Sequence, residues 1–75
     1  MKDAVETASQ VKGTVTEVYP VLGLAYATCE DNHHWTITKS TQGPGFGVLL
    51  PGKRVGLMIE HHPLFSLVRE YAALD

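Results

Sequence analysis

The chain has a single cysteine, Cys29, among 75 residues, so no internal disulfide can form. Small secreted domains usually rely on such staples, which makes the reducing cytoplasm the expected location. Long apolar runs are missing as well. The longest, residues 21–27, falls far short of the roughly 20 residues a membrane-spanning helix requires. The first ten residues carry Lys2, Asp3 and Glu6 without an apolar stretch, a pattern unlike a signal peptide. A basic excess is also absent. The formal net charge is −2, whereas general nucleic-acid binders draw much of their affinity from neutralising phosphates. Any polyanion must therefore be met by a local patch or by stacking. Catalytic signatures are equally scarce. No serine or cysteine sits in a nucleophile motif, and Glu30-Asp31 reads as a solvated turn. The glycine-rich loop at residues 42–47 lacks the Gly-Lys-Ser/Thr step of a phosphate loop. The expectation is a binding protein without a cofactor, not an enzyme.

What remains is the composition of one small globular domain. Apolar residues make up 44% and charged residues 19%, too apolar for a disordered tail. A chain of this length buries only about 60% of its unfolded surface, so the core is thin. Residues 1–10 form a polar N-terminal arm, with at most one helical turn capped by Asp3. The domain proper spans 11–75. Val11, Gly13 and Val15 alternate with Lys12, Thr14 and Thr16, which is strand patterning, and Val18 and Tyr19 break the alternation as a bulge would. Leu22, Leu24 and Tyr26 form one face of a second strand, with Gly23, Ala25 and Ala27 on the other. That small-residue face suits either a tight barrel interior or a surface approached by a ligand. Glu30-Asp31-Asn32 signals a turn. Residues 34–39 form a third strand. Pro51-Gly52 suits the centre of a type II turn. Residues 53–60 form a fourth strand, with Val55, Leu57 and Ile59 on one face. The last segment is two-valued: Phe65, Leu67, Arg69 and Tyr71 alternate like a strand, while Leu64, Leu67, Val68 and Tyr71 fit one helix face. A strand over 65–71 is favoured, because the barrel needs it to close. The predicted fold is all-β, a small five-stranded OB-like barrel, with an SH3-type split sheet as the nearest competitor.

Lys12-Gly13-Thr14-Val15, the glycine-containing second strand and Leu49-Leu50-Pro51-Gly52-Lys53-Arg54-Val55 together resemble the S1, initiation-factor-one and cold-shock group of OB domains over residues 11–71. Members of that group often open on a Gly-x-Val strand and step into strand four through a Gly-basic/acidic-x-Val sequence. The resemblance implies binding of RNA or single-stranded DNA through strands two and three and a basic edge of strand four. The implied contact residues are Lys12, Tyr26, His34, Trp35, Lys39, Lys53 and Arg54. Cold-shock domains carry several more aromatics on these strands. Here only Tyr26 and Trp35 remain, and the motif's lysine is replaced by Leu22.

Each feature has a blander reading. In so small a domain Trp35 is a natural core residue, since large aromatics bury about 150–250 Å² each. Tyr26 divides evenly between core and surface. His33-His34 and His61-His62, near Cys29 and Glu60, are suitable metal-ligand types. Adjacent strand residues face opposite ways, so solvated histidines are the expectation and no metal is assigned. Phe46 is expected to tuck under one barrel end as a lid. The alternative function is protein–protein interaction, with a partner or a second copy, through an apolar patch around Leu64, Phe65, Leu67 and Val68.

Overall fold

A computed structural model describes residues 7–74, with Thr7 by its backbone alone. Its strands are β1 (Thr7–Tyr19), β2 (Leu24–Cys29), β3 (His34–Thr38), β4 (Arg54–His61) and β5 (Ser66–Ala73), with a single 3-10 turn at Phe46–Val48. They make one five-stranded sheet in the order β3-β2-β1-β4-β5, each hydrogen-bonded neighbour antiparallel. The sheet curls until β3 and β5, its two edges, approach each other. An isolated parallel bridge pairs Gln42, in the loop after β3, with Glu70 on β5. The architecture is an OB-like barrel that is partly open.

The curl follows from side-chain size. Val15 on β1, Ala25, Ala27 and Cys29 on β2, Ile37 on β3, Val55, Leu57 and Ile59 on β4, and Val68 and Tyr71 on β5 all face inward and are buried. On β2 the inner face is the small-residue one, so β1 and β2 can bend sharply around it. Gly13 stands opposite Cys29, and a Cβ added there would lie 3.0 Å from the Thr28 carbonyl oxygen and 3.1 Å from Cys29 Sγ. Glycine admits this close approach. Leu49, fully buried, drops into the barrel behind the 3-10 turn, and Phe46 packs against the same core as the expected lid.

β2 starts at Leu24, with Leu22 and Gly23 in the turn before it, and β3 and β4 each shift by a residue from the sequence reading; three further features differ more. β1 begins at Thr7, pairing with His61, so residues 7–10 of the expected arm belong to the barrel. The remainder of that arm, including the turn expected at Asp3, lies outside the described residues. The β1 bulge falls between Val15 and Glu17, at Thr16, ahead of Val18 and Tyr19. One extra residue there turns both Val15 and Val18 inward. Finally, β5 is a strand, extended to Ala73 and interrupted between its pairings Met58–Glu70 and Ile59–Val68, where Arg69 is the unpaired residue. The turns are as their residues predict. Asn32 adopts a positive φ of 68°, with the Asp31 carboxylate accepting the His33 N–H (3.1 Å). Gly52, at φ 92°, occupies the third position of a turn closed from Lys53 N–H to the Leu50 carbonyl (2.9 Å).

Candidate nucleic-acid interface

The cross-strand register sorts the candidate residues onto faces. Tyr26 pairs with Glu17 on β1 and Thr36 on β3, and Ala27 pairs with Trp35. Since Ala27 is fully buried, Trp35 lies on the inner side of the sheet, half-buried against the core, while Tyr26 lies on the outer side. The two aromatics expected to share a stacking platform therefore stand on opposite faces. That expectation is corrected: period-two alternation puts residues one register step apart on opposite faces.

The outer face has its own composition. Tyr19 meets Tyr26 edge-on, ring centroids 6.2 Å apart at 73°. The Tyr19 hydroxyl donates to Glu17 Oε1 (2.8 Å), and that carboxylate holds the phenol above its ordinary range. An acid thus stands in the middle of the surface where stacked bases would lie. Further along, one row crosses four strands: His34, Thr28, Thr14 and Arg54. His34 Nδ1 and Thr28 Oγ1 share a hydrogen bond (2.9 Å). Lys12, two residues from Thr14 and opposite Gly56, lies on the same side and is exposed, as is Arg54. Lys12, His34 and Arg54 are therefore brought to one surface with Tyr26. Lys53 is half-buried at the turn, its carbonyl accepting the Val15 N–H (2.8 Å). Lys39 lies apart, its aliphatic stem lying across Gly23, where a Cβ would come within 2.6 Å of Lys39 Cγ.

Trp35 opens onto a different feature. Between the unjoined stretches of β3 and β5 lies a cleft of about 550 Å³. Trp35 and Thr36 line one wall, Ser40 and Thr41 one end, and Ser66 and Arg69 the other wall. His34 borders its mouth. None of the cleft-lining residues is a carboxylate. The Arg69 side chain is 59% exposed, and its nearest acid, Glu60, is 3.8 Å away. Glu60 is held more closely by His62 Nε2 (2.9 Å), whose ring stacks on Phe65 with centroids 4.5 Å apart. Arg69 and Thr36 are the residues sequence reading missed. Arg69 looked like one more alternating strand position, and only the bulge leaves it unpaired beside the cleft.

A second groove of about 500 Å³ runs over the outside of β1, β4 and β5, lined by Lys12, Gly56, Met58, Glu70 and Ala72. The histidines do not form a metal centre: no group of three or more His, Cys, Asp or Glu side chains converges among the described residues. His61 instead bridges Ser66 Oγ (2.9 Å) and Ser9 Oγ (3.2 Å). His33 is tied to Asp31 Oδ2 at 2.7 Å, and this hydrogen bond holds the Asp31 carboxyl below the usual carboxylate range. Burial, reinforced by Asp31 and Glu30, pushes the Cys29 thiol up. No helix among the described residues is long and apolar enough to cross a membrane. No protein-family model, no curated protein and no solved structure matches the chain.

Proposed function

We propose that the chain is a cytoplasmic binding module for single-stranded nucleic acid, RNA or DNA, seated across the β3 edge. The observation that carries this reading is the open β3–β5 cleft, which presents an aromatic ring and a 59% exposed guanidinium 3.8 Å from Glu60, with no carboxylate among the lining residues. Stacking on an aromatic ring is worth about 1–3 kcal/mol per base. Arg69 supplies one charge-assisted phosphate contact. From the cleft mouth a strand continues past His34 and Thr36 onto the outer face, toward Tyr26 or toward Lys12 and Arg54. The role is one of binding, and no catalytic step is assigned to it. With a net charge of −2, affinity is modest and rests on these few groups.

The test is a titration of Trp35 fluorescence with mixed-sequence single-stranded RNA and DNA at low salt, repeated at higher salt. Quenching that weakens with salt is the expected result. An emission unmoved by either polymer sinks the reading.

One observation favours a second reading, docking of a protein. Val21 and Leu64 are each 93% exposed, and Leu22 and Phe65 also project from the β1–β2 and β4–β5 loops. Exposed apolar side chains on loops suit a partner or a second copy of the chain. Sedimentation of the purified protein distinguishes self-association from a monomer that needs another partner.

A further inference from the structure

The β3 wall of the cleft is a strand edge with backbone groups to spare. In an antiparallel ladder, residues that bond the neighbouring strand alternate with residues whose N–H and C=O point away from it. The Cys29 N–H donates to the His33 carbonyl (2.9 Å), which sets the phase between β2 and β3. Trp35 and Ile37 therefore bond their partners Ala27 and Ala25, while His34, Thr36 and Thr38 turn their backbone groups outward. Thr38 is satisfied by its own turn: its N–H donates to Thr41 Oγ1 (3.1 Å) and its carbonyl accepts the Thr41 N–H (3.1 Å). Among the described residues, no hydrogen bond closes on the outward groups of His34 or Thr36.

Edge strands are usually blunted by proline, lysine or a bulge. β3 reads His34-Trp35-Thr36-Ile37-Thr38, has none of these, and keeps its register with β2 throughout. The facing edge is protected. β5 carries the bulge at Arg69, and Gln42 covers the next stretch like a one-residue strand. The Gln42 N–H donates to the Arg69 carbonyl (3.2 Å) and its carbonyl accepts the Tyr71 N–H (2.9 Å). We propose that the β3 edge accepts a short extended segment of a partner protein as an added strand, held in the β3–β5 cleft. The segment's backbone bonds His34 and Thr36, and its side chains alternate between the half-buried Trp35 and the outer face. The cleft, about 550 Å³, falls in the range of small-ligand sites, about 300–1,000 Å³, and so takes a few extended residues rather than a folded domain. Arg69, 3.8 Å from Glu60, is the one Lys or Arg lining the cleft, and no carboxylate lines it. The accepted segment is therefore neutral or acidic. This inference stands apart from the nucleic-acid reading, because it rests on backbone groups and not on stacking, and the two occupants exclude one another.

The experiment selects displayed random heptapeptides on the full chain and measures the enriched peptides, labelled, by anisotropy. Each peptide is then N-methylated at one residue at a time. Methylation at alternate residues, those facing β3, should weaken binding by at least about 2- to 12-fold, the range of one net hydrogen bond. Methylation at the residues between should change little. Thr36→Pro removes the outward N–H without touching a β2 ladder bond, and it should abolish binding while circular dichroism shows the barrel intact. Should that variant fail to fold, the methylation pattern decides alone. Selection of no peptide overturns the proposal, as does binding without a two-residue methylation period or binding that survives in folded Thr36→Pro. Sedimentation of the pure chain supplies the last outcome: a dimer that Thr36→Pro dissolves assigns the edge to a second copy and overturns the partner segment.

Discussion

Gly43→Ala should destabilise the barrel by about 2 kcal/mol through one identifiable collision. A Cβ at position 43 would lie 2.2 Å from Tyr71 Cε1 and 2.4 Å from Cζ, where carbon atoms normally rest about 3.5–4.0 Å apart. The Tyr71 ring cannot retreat. It is buried opposite Leu57, and its hydroxyl accepts the Gly45 N–H at 2.9 Å. The loop must lift instead. That strains the backbone bonds from Gln42 N–H to the Arg69 carbonyl (3.2 Å) and from Tyr71 N–H to the Gln42 carbonyl (2.9 Å), which close the barrel. Overpacking costs about 1–3 kcal/mol, and two net hydrogen bonds fall in the same range. For a domain of this size about 2 kcal/mol corresponds to a Tm lowered by roughly 8–16 °C. The assay is urea unfolding followed by Trp35 fluorescence and far-ultraviolet circular dichroism. Tyr71→Phe and Tyr71→Leu backgrounds serve as controls. In the Phe background the ring remains and the full cost should persist. In the Leu background the cost of Gly43→Ala should fall below about 0.5 kcal/mol. A neutral Gly43→Ala, or equal costs in both backgrounds, would refute the assignment of Tyr71 as the obstacle.

Three further outcomes are expected. Cys29 is buried with its thiol pushed up, so a thiol reagent at neutral pH should modify it only as the barrel opens, and the rate should rise with urea. Prompt stoichiometric labelling of the native chain would contradict that burial. Removing the imidazole by His33→Ala should let the Asp31 carboxyl return toward its ordinary range, as followed by carboxyl chemical shifts. Because the folded carboxyl titrates low, its small stabilising contribution is present above the unfolded carboxylate pKa, about 3.9. It disappears as pH falls through the folded value, and His33→Ala should flatten stability in that acidic window alone. Ile37→Ala, which empties a fully buried site in β3, should cost about 2–5 kcal/mol in the same urea assay.

How much of this was legible depended on whether local periodicity survived the barrel. It survived in β4, where Val55, Leu57 and Ile59 alternate and all three are buried. It failed wherever a bulge intervened. In β1 the extra residue Thr16 gives Val15 and Val18 the same face at a spacing of three. In β5 Arg69 does the same for Val68 and Tyr71. A spacing of three is also the helical one, which is why the last segment also fits a helix face although a strand is favoured. On β2 the alternation was plain but its polarity was not, because a tight curl favours the small residues inside and leaves Leu24 and Tyr26 out. Leu49 gave no signal. It lies outside any strand, and nothing local separates it from its exposed neighbour Leu50. The candidate site suffered most. Lys12, His34 and Arg54 reach one surface with Tyr26, but the relation of Tyr26 to Trp35 is set by pairing Ala27 with Trp35, a fact of register alone.

Net charge is a poor guide to where a polyanion would go on this molecule. At about 0.1 M salt, charges more than about 10 Å away are largely screened, so the local census governs. Glu17 occupies the aromatic outer face, and Glu70 flanks the outer groove. Glu60 is engaged by His62 at 2.9 Å and lies 3.8 Å from Arg69. His62 engages Oε1 while Oε2 faces Arg69, so a phosphate at Arg69 would compete with Glu60 for the guanidinium. A strand held this way neutralises one phosphate at Arg69 and at most two more at Lys12 and Arg54. For single strands the slope of log K against log salt is about −0.7 per phosphate, which gives about −0.7 to −2 here. A basic binding face would give a much steeper slope. On the proposed reading, stacking on Trp35, which salt scarcely touches, would carry the larger share of the affinity, and Arg69→Gln should shallow the slope by about 0.7 without abolishing quenching.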